Sequence, residues 1–406
     1  MRNTGSLLAS LAASLLAASA LAPSAFAQDI TVKIGVLNDR SGVYADLSGE
    51  GSVIAARMAA EDFGAEAKGI KVEIVSADHQ NKPDVGAGIA RKWFDEEGVN
   101  VVLDVPVSTI ALAVQQIAED KDKIVLLSSA GSSDITGKSC SLNTIQWTYN
   151  TYALSNVAGR ATVERGDTTW FFITTDYAFG HALERDATAA IEAVGGQSLG
   201  RALNPIGTAD FSSYLLSAQG SGAKVIALAS SGGDMQTAVK QASEFGIQAG
   251  GQKLLGLLFD VTDVKSLGLE ATQGMLLATP FYWDRNEESR AFGERFLEAH
   301  GRAPTMHQAG VYSATLHYLR ALVAAGTADT QTVLQKMRET PVDDFFARGG
   351  RIREDGQMIH DFYLVEVKSP AESSGPWDYY RVLQTIPPED AAQPLEQSAC
   401  PHVNGG

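Results

Sequence analysis

Apolar and polar positions along the chain alternate between two rhythms. Short apolar runs are followed by stretches whose apolar residues recur every three or four positions. Residues 101–136, VVLDVPVSTIALAVQQIAEDKDKIVLLSSAGSSDIT, show it twice. The apolar run at 101–105 gives way to Ser108 and Thr109, after which Ile110, Val114 and Ile117 mark one face of a helix. A second run at 124–127 ends in Ser128, Ser129, Ala130, Gly131, Ser132 and Ser133. Buried runs alternating with amphipathic helices predict a parallel α/β sheet. Hydroxyl residues where a strand hands over to a helix cap that helix, and its free N–H groups can hold a carboxylate. Ligands in open α/β sheets bind outside the carboxyl ends of the strands. The segment is therefore predicted to build half of a small-molecule site; the plainer alternative is that its serines only cap.

The same rhythm runs on both sides. Strands are predicted at 31–37 and 70–75, with helices over 48–63 and 83–94, completing one α/β lobe. It restarts with a helix over 152–165, a strand at 169–174, helices over 182–194, 211–219 and 235–245, and strands at 225–230 and 254–259. The halves read as structural duplicates without a close sequence repeat. Beyond 274–279 lies an aromatic cluster, Pro280-Phe281-Tyr282-Trp283, then helices over 288–300, 305–325 and 330–339. Residues 349–367 predict an antiparallel hairpin turning at Asp355-Gly356. The predicted division is 28–148 for lobe one, 149–277 for lobe two, 278–345 returning to lobe one, 346–386 returning to lobe two, and a surface tail at 387–406.

Composition narrows the function. The chain of 406 residues carries a formal charge of −16, which argues against nucleic acid or an anionic membrane as partner. Arg2, the Ala/Leu-rich run at 7–21, Pro23 and Ala25-Phe26-Ala27 predict a signal peptide over 1–27, cleaved before Gln28. No later run reaches the length of a membrane span, so the mature protein is expected to be soluble and exported. Two cysteines, Cys140 and Cys400, have one intramolecular pairing in an oxidising compartment. That pairing is predicted, the alternative being two free thiols.

Four segments carry a resemblance. KIGVLNDRSGVYADLSGEGSVIAARMAAEDF, ADHQNKPDVGAGIARKWFDEEGVNVVLD, IVLLSSAGSSDIT and TTDYAFGHAL resemble, in order, type I periplasmic binding proteins of the leucine/isoleucine/valine-binding family of ABC transporters. The resemblance implies two Rossmann-like lobes with parallel sheets, joined by a three-strand hinge and closing over a ligand. It implies an inner-membrane ABC permease as partner, no cofactor, no metal, and a monomer. The family's carboxylate-binding positions fall on Val107, Ser108, Thr109, Ala130 and Ser132. The family's ammonium-binding acid falls near Leu257-Leu258-Phe259, with Asp260 one or two places away as a substitute, and a family tyrosine is replaced by Ser231. Tyr44, Tyr177, Phe179, Phe259, Phe281, Tyr282 and Trp283 supply an aromatic wall suited to a flat apolar ligand, and His307 is a candidate donor to a phenolic hydroxyl. An aromatic acid is thus favoured, with branched-chain or other amino acids and amides as the alternative.

An exported enzyme is the rival class. The chain has no Gly-x-Ser-x-Gly elbow, and its histidines, at 79, 181, 300, 307, 317, 360 and 402, lack metal-ligand spacing. Asp39 and Asp176 remain a carboxylate pair of the kind glycosidases use. A ligand-sensing partner of a membrane receptor, with the same fold, is the third reading.

Overall fold

The structure is a computed structural model and describes residues 30–404. The signal peptide read at 1–27 lies outside the described residues. Among the described residues, no helix is long and apolar enough to cross a membrane.

The first sheet is built from β1 (Ile30–Asn38), β2 (Ile70–Asp78), β3 (Val101–Asp104), β4 (Ile124–Leu127) and β5 (Thr144–Gln146), ordered β2-β1-β3-β4-β5 and parallel throughout. Its intervening helices are α1 (Gly49–Phe63), α2 (Pro83–Asp95) and α3 (Ser108–Asp120). Strand period two sorts the core. Val101, Leu103, Ile124 and Leu126 face α1, while Val102, Val125 and Leu127 face α2 and α3. Both faces are covered, which is why these strands read as unbroken apolar runs.

The chain enters the second lobe through α4 (Thr151–Leu154), a π-helical turn at Ser155–Gly159 and α5 (Arg160–Glu164). A second parallel sheet, ordered β7-β6-β8-β9, follows: β6 (Thr169–Thr175), β7 (Gln197–Asn204), β8 (Val225–Ala229) and β9 (Lys253–Gly256). It alternates with α6 (Ala178–Glu192), α7 (Ser212–Gly220), α8 (Gly232–Glu244), α9 (Val261–Leu267) and α10 (Leu269–Thr272), after which the chain enters β10 (Leu276–Thr279), outside this sheet. The chain then returns to pack α11 (Glu287–His300) and α12 (Met306–Ala325) on α1, and adds α13 (Thr330–Glu339).

The predicted hairpin at 349–367 resolves into two features. β11 (Arg351–Ile352) and β12 (Met358–Ile359) form a short hairpin around Gly356, whose φ is +87°. The next strand, β13 (Phe362–Val367), leaves it to pair with β10 and with β14 (Tyr380–Ile386) in a three-stranded antiparallel sheet of the second lobe. The tail beyond β14 is more than a surface segment, since Ala391, Ala392 and Cys400 are buried and Cys400 is bonded to Cys140.

Three passages between the lobes meet in one buried stack. His360 lies 3.0 Å from the carbonyl oxygens of Thr148 and Asp361 through its two ring nitrogens. Its ring stacks on Phe362 and meets Phe346 edge-on, and Phe346 stacks on Phe281. Burial pushes the His360 imidazole down to about 4, so it holds this place as the neutral ring.

At the turn from β6 into α6, a Cβ on Gly180 would stand 1.9 Å from the Thr175 carbonyl oxygen. The backbone itself has to move to accept a side chain. Gly180→Ala is expected to destabilise the fold by about 1–3 kcal/mol, read as a lower urea midpoint at unchanged slope.

Candidate functional site

Where the carboxyl ends of the two parallel sheets face each other, side chains from both lobes enclose a cavity of about 10 Å³, room for roughly one water. The first lobe contributes Tyr44 and Leu47 after β1, Pro106 after β3, Ser129 after β4, Tyr149 from the first crossover, and His307 at the start of α12. The second contributes Tyr177 and Phe179 after β6, Ser231 after β8 and Leu258 after β9. Wider grooves lie elsewhere, one of about 680 Å³ along the outer edge between α1 and β2, but away from the strand carboxyl ends.

Two buried carboxylates shape the first lobe's wall. Asp39 accepts the backbone N–H groups of Gly42 at 2.7 Å and Tyr44 at 2.9 Å, and the Asn81 amide at 2.7 Å. It thereby fixes the turn that presents Val43 and Tyr44. Asp104 ends β3 with a φ of +83°, followed by Val105 at +49°. Its carboxylate accepts Asn38 Nδ2 at 2.9 Å, Ser128 Oγ at 3.0 Å and the Ser129 hydroxyl. Two successive left-handed residues without glycine are strained, and such strain concentrates at ligand sites.

The lobes touch across the cavity. Tyr44 donates its hydroxyl to Tyr177 at 3.1 Å, and Gly233 N donates to the Val43 carbonyl at 2.9 Å. Gly232, with a φ of +60°, makes this approach possible, because a Cβ there would sit 2.4 Å from that same carbonyl oxygen. Burial raises the pKa of both tyrosines, so their hydroxyls stay protonated and able to donate.

Behind the aromatic wall lies a polar pair shared between lobes. His307 Nε2 stands 2.9 Å from Asp260 Oδ2, with both side chains almost fully buried. The contact lies off the N–H axis, so neither atom makes a directed hydrogen bond, and His307 Nδ1 has no partner either. His307 meets Tyr149 edge-on at 5.3 Å. Asp263 Oδ2 accepts the backbone N–H of Asp260 at 2.8 Å, and Gln236 Nε2 donates to its other oxygen at 2.8 Å. Burial, with Asp260 close by, pushes the Asp263 carboxyl up to about 7.

Of the residues singled out from the sequence, Tyr44, Tyr177, Phe179, Ser231 and His307 line the cavity, and Asp260 stands directly behind His307. Val107, Ser108 and Ala130 are buried next to the lining residues Pro106 and Ser129. Ser108 Oγ accepts Ser132 N at 3.2 Å and so ties the two strand-end loops together, while Ser132 Oγ accepts Asp134 N at 3.3 Å and serves as a cap. Thr109 is half-buried on α3, outside the lining. Phe259 packs into the second lobe's core. Phe281 belongs to the crossover stack, and Trp283 Nε1 donates to the Trp377 carbonyl at 2.9 Å, which turns both away from the cavity. Tyr149, Leu47 and Pro106 were not picked out from the sequence, while Ser129 was noted only within the run that ends β4 and Leu258 only as a neighbour of the acid position. The signal for Tyr149 was its place just before Asn150, which caps α4 by accepting Ala153 N at 2.9 Å.

A family model described as periplasmic binding protein matches residues 31–375. The chain belongs to the periplasmic binding protein family. Its members are substrate-binding proteins of transporters rather than enzymes, and take small molecules. This periplasmic binding protein is similar to a periplasmic binding protein from Burkholderia mallei, with 43% identity and a TM-score of 0.89 over 92% of this chain and 99% of that one. A branched chain amino acid ABC transporter periplasmic ligand-binding protein from Burkholderia xenovorans LB400 is 42% identical, with a TM-score of 0.82 over 92% and 100%. A solute binding protein of an ABC transporter from Rhodopseudomonas palustris BisB5, in complex with 3,4-dihydroxy benzoic acid, shares the fold at 20% identity, with a TM-score of 0.80 over 88% and 98%.

The raised Asp263 carboxyl makes a pH signature. From its ordinary value near 3.8 up to about 7, the folded protein holds a proton that the unfolded chain has released, so stability falls as pH rises through that window. The loss from this group is at most roughly 4 kcal/mol. Asp263→Asn is expected to flatten the decline, raising the melting midpoint relative to the parent more at pH 7.5 than at pH 4.5.

Proposed function

We propose that this protein is the solute-binding component of an ABC importer and captures a small aromatic carboxylate between its closing lobes in the periplasm. The observation that carries the ligand class is the Asp260–His307 pair. The buried acid that stands where an amino-acid ligand needs a counter-charge already faces an imidazole from the other lobe. An ammonium placed there competes with that imidazole, and a buried charge without a free partner is costly.

The rest of the lining supports the same class. Tyr149, Tyr177 and Phe179 offer ring faces and edges to a flat body. Beside the lining residues Pro106 and Ser129, at the ends of β3 and β4, the hydroxyls and backbone N–H groups at Val107, Ser108, Ala130 and Ser132 are of the kind that suits a carboxylate once the lobes part, with Thr109 farther out on α3. His307 Nδ1, unpartnered at the wall, suits a second polar group on the ring. Ligand entry breaks the Tyr44–Tyr177 and Gly233–Val43 bonds, and reclosure around ligand gives the form a membrane permease receives.

A second reading keeps branched-chain amino acids as ligands. It is favoured by Asp260 Oδ2, which lacks a directed hydrogen bond, and by the name of the Burkholderia xenovorans relative.

A thermal-shift screen over benzoates, hydroxycinnamates, leucine, isoleucine and valine separates the two, since a ligand selective for the native state raises the midpoint with concentration. Aromatic acids are expected to stabilise the protein; stabilisation by leucine alone overturns the aromatic assignment. Asp260→Asn sharpens the comparison by calorimetric titration. An ammonium ligand loses about 2–5 kcal/mol of binding, whereas an aromatic acid is expected to lose less. Ser132→Ala is expected to weaken a carboxylate ligand by about 1–3 kcal/mol, and unchanged affinity removes Ser132 from the site.

A further inference from the structure

The chain crosses between lobes three times by backbone, and its tail crosses once more. β14 ends at Ile386 in the second lobe's antiparallel sheet. From there the tail runs over the hinge. Asn156 of the π-helical turn donates to the Asp390 carbonyl at 2.6 Å. Arg351 pairs with Glu389 at 2.6 Å, and Arg353 Nη1 donates to the Gln393 carbonyl at 2.6 Å. Both arginines belong to the short hairpin, Arg351 in β11 and Arg353 just after it, and the hairpin meets β5 through the Gln146–Gln357 bridge. Ala391 and Ala392 close over the hinge residues Gln146, Thr148, Tyr149 and His360. The tail then reaches Cys400, bonded to Cys140 with a Cα–Cα distance of 5.5 Å. Cys140 lies in the first lobe, where the neighbouring Leu142 carbonyl accepts Arg338 of α13 and Asn143 donates to the Lys123 carbonyl.

We propose that this tail is a strap that limits how far the lobes swing apart. It is anchored by backbone to the second lobe and by the disulfide to the first, so it forms a fourth covalent connection. Only 13 residues separate the end of β14 from Cys400, and they are pinned midway by Asn156, Arg351 and Arg353. There is little slack to follow a large rotation. A chain joined only by backbone crossovers has no such restraint, because each crossover can twist about its own φ and ψ angles. The strap also covers the back of Tyr149, which lines both the cavity and the small space beneath the tail. The hinge angle and a ligand-facing ring are thus held by one segment.

The test compares three forms of the full-length mature protein without ligand. The first is the parent. The second combines Cys140→Ser with Cys400→Ser. The third keeps the disulfide and gains five Gly/Ser residues between Gln393 and Pro394. Nitroxides carried on p-acetylphenylalanine at the exposed positions Lys82 and Lys240 report the interlobe distance by pulsed electron resonance. A longer mean and a broader distribution are expected in both altered forms. An unchanged distribution in the lengthened form overturns the proposal, even if the double serine form broadens, because the effect then traces to lost packing around Cys140 and not to the tether. Dithiothreitol on the folded parent gives an independent arm. It delivers two electrons and two protons to the disulfide, leaving two thiols while its own ring disulfide forms. The same broadening is expected there, and none if the strap carries no restraint.

Discussion

The molecule depends on a stack of rings where its two lobes join. His360 sits between Phe346 and Phe362, in reach of the Thr148 carbonyl on the first crossover, while Phe346 stacks on Phe281 from the second. Each passage is thereby fixed relative to the other two by flat, incompressible contacts. The carboxyl ends of the two sheets meet face to face only because the crossovers hold that geometry. The cavity, the Tyr44–Tyr177 contact and the polar pair all follow from it.

Inside the cleft, charge is distributed with economy. Asp39 and Asp104 spend their lone pairs on backbone and hydroxyl donors of the first lobe. They act as wall builders, their oxygens already engaged within the lobe. On the second lobe, Asp263 is pushed toward its neutral form and Asp260 faces His307. The low-dielectric setting makes each of these pairings consequential, since an unmatched charge there is far more costly than at the surface.

Much of this was legible in the chain. The unbroken runs at Val101–Asp104 and Ile124–Leu127 announced strands covered on both sides, and of the serines after them Ser129 lines the cavity between the lobes. Strand β7 was not legible, because it is an edge strand whose half-buried positions hold only Ser198, Gly200 and Ala202 while Leu199 and Leu203 stand exposed, so no buried apolar face registers in the sequence. β5 has only three residues, too short for any period to register. The aromatic residues divided for a physical reason. Tyr177 and Phe281 both follow strands, but one strand end faces the cleft and the other enters a crossover, a difference set by the return of the chain from distant positions. Asp260 was visible as an acid near the site; its imidazole partner, 47 residues later on another lobe, became visible only in three dimensions.

The contact between Gly233 and Val43 is backbone to backbone, and it owes nothing to what lies in the cleft. Part of the closing free energy is therefore independent of the ligand. A protein so built spends some fraction of its time shut before any solute arrives, and solute enters only from the remaining open fraction. The apparent dissociation constant is the intrinsic one divided by the competent population. Side chains far from the solute, at the rim where the lobes meet, then tune affinity as surely as those that touch it. Such a receptor can drift in sensitivity over evolutionary time while its recognition chemistry stays unchanged.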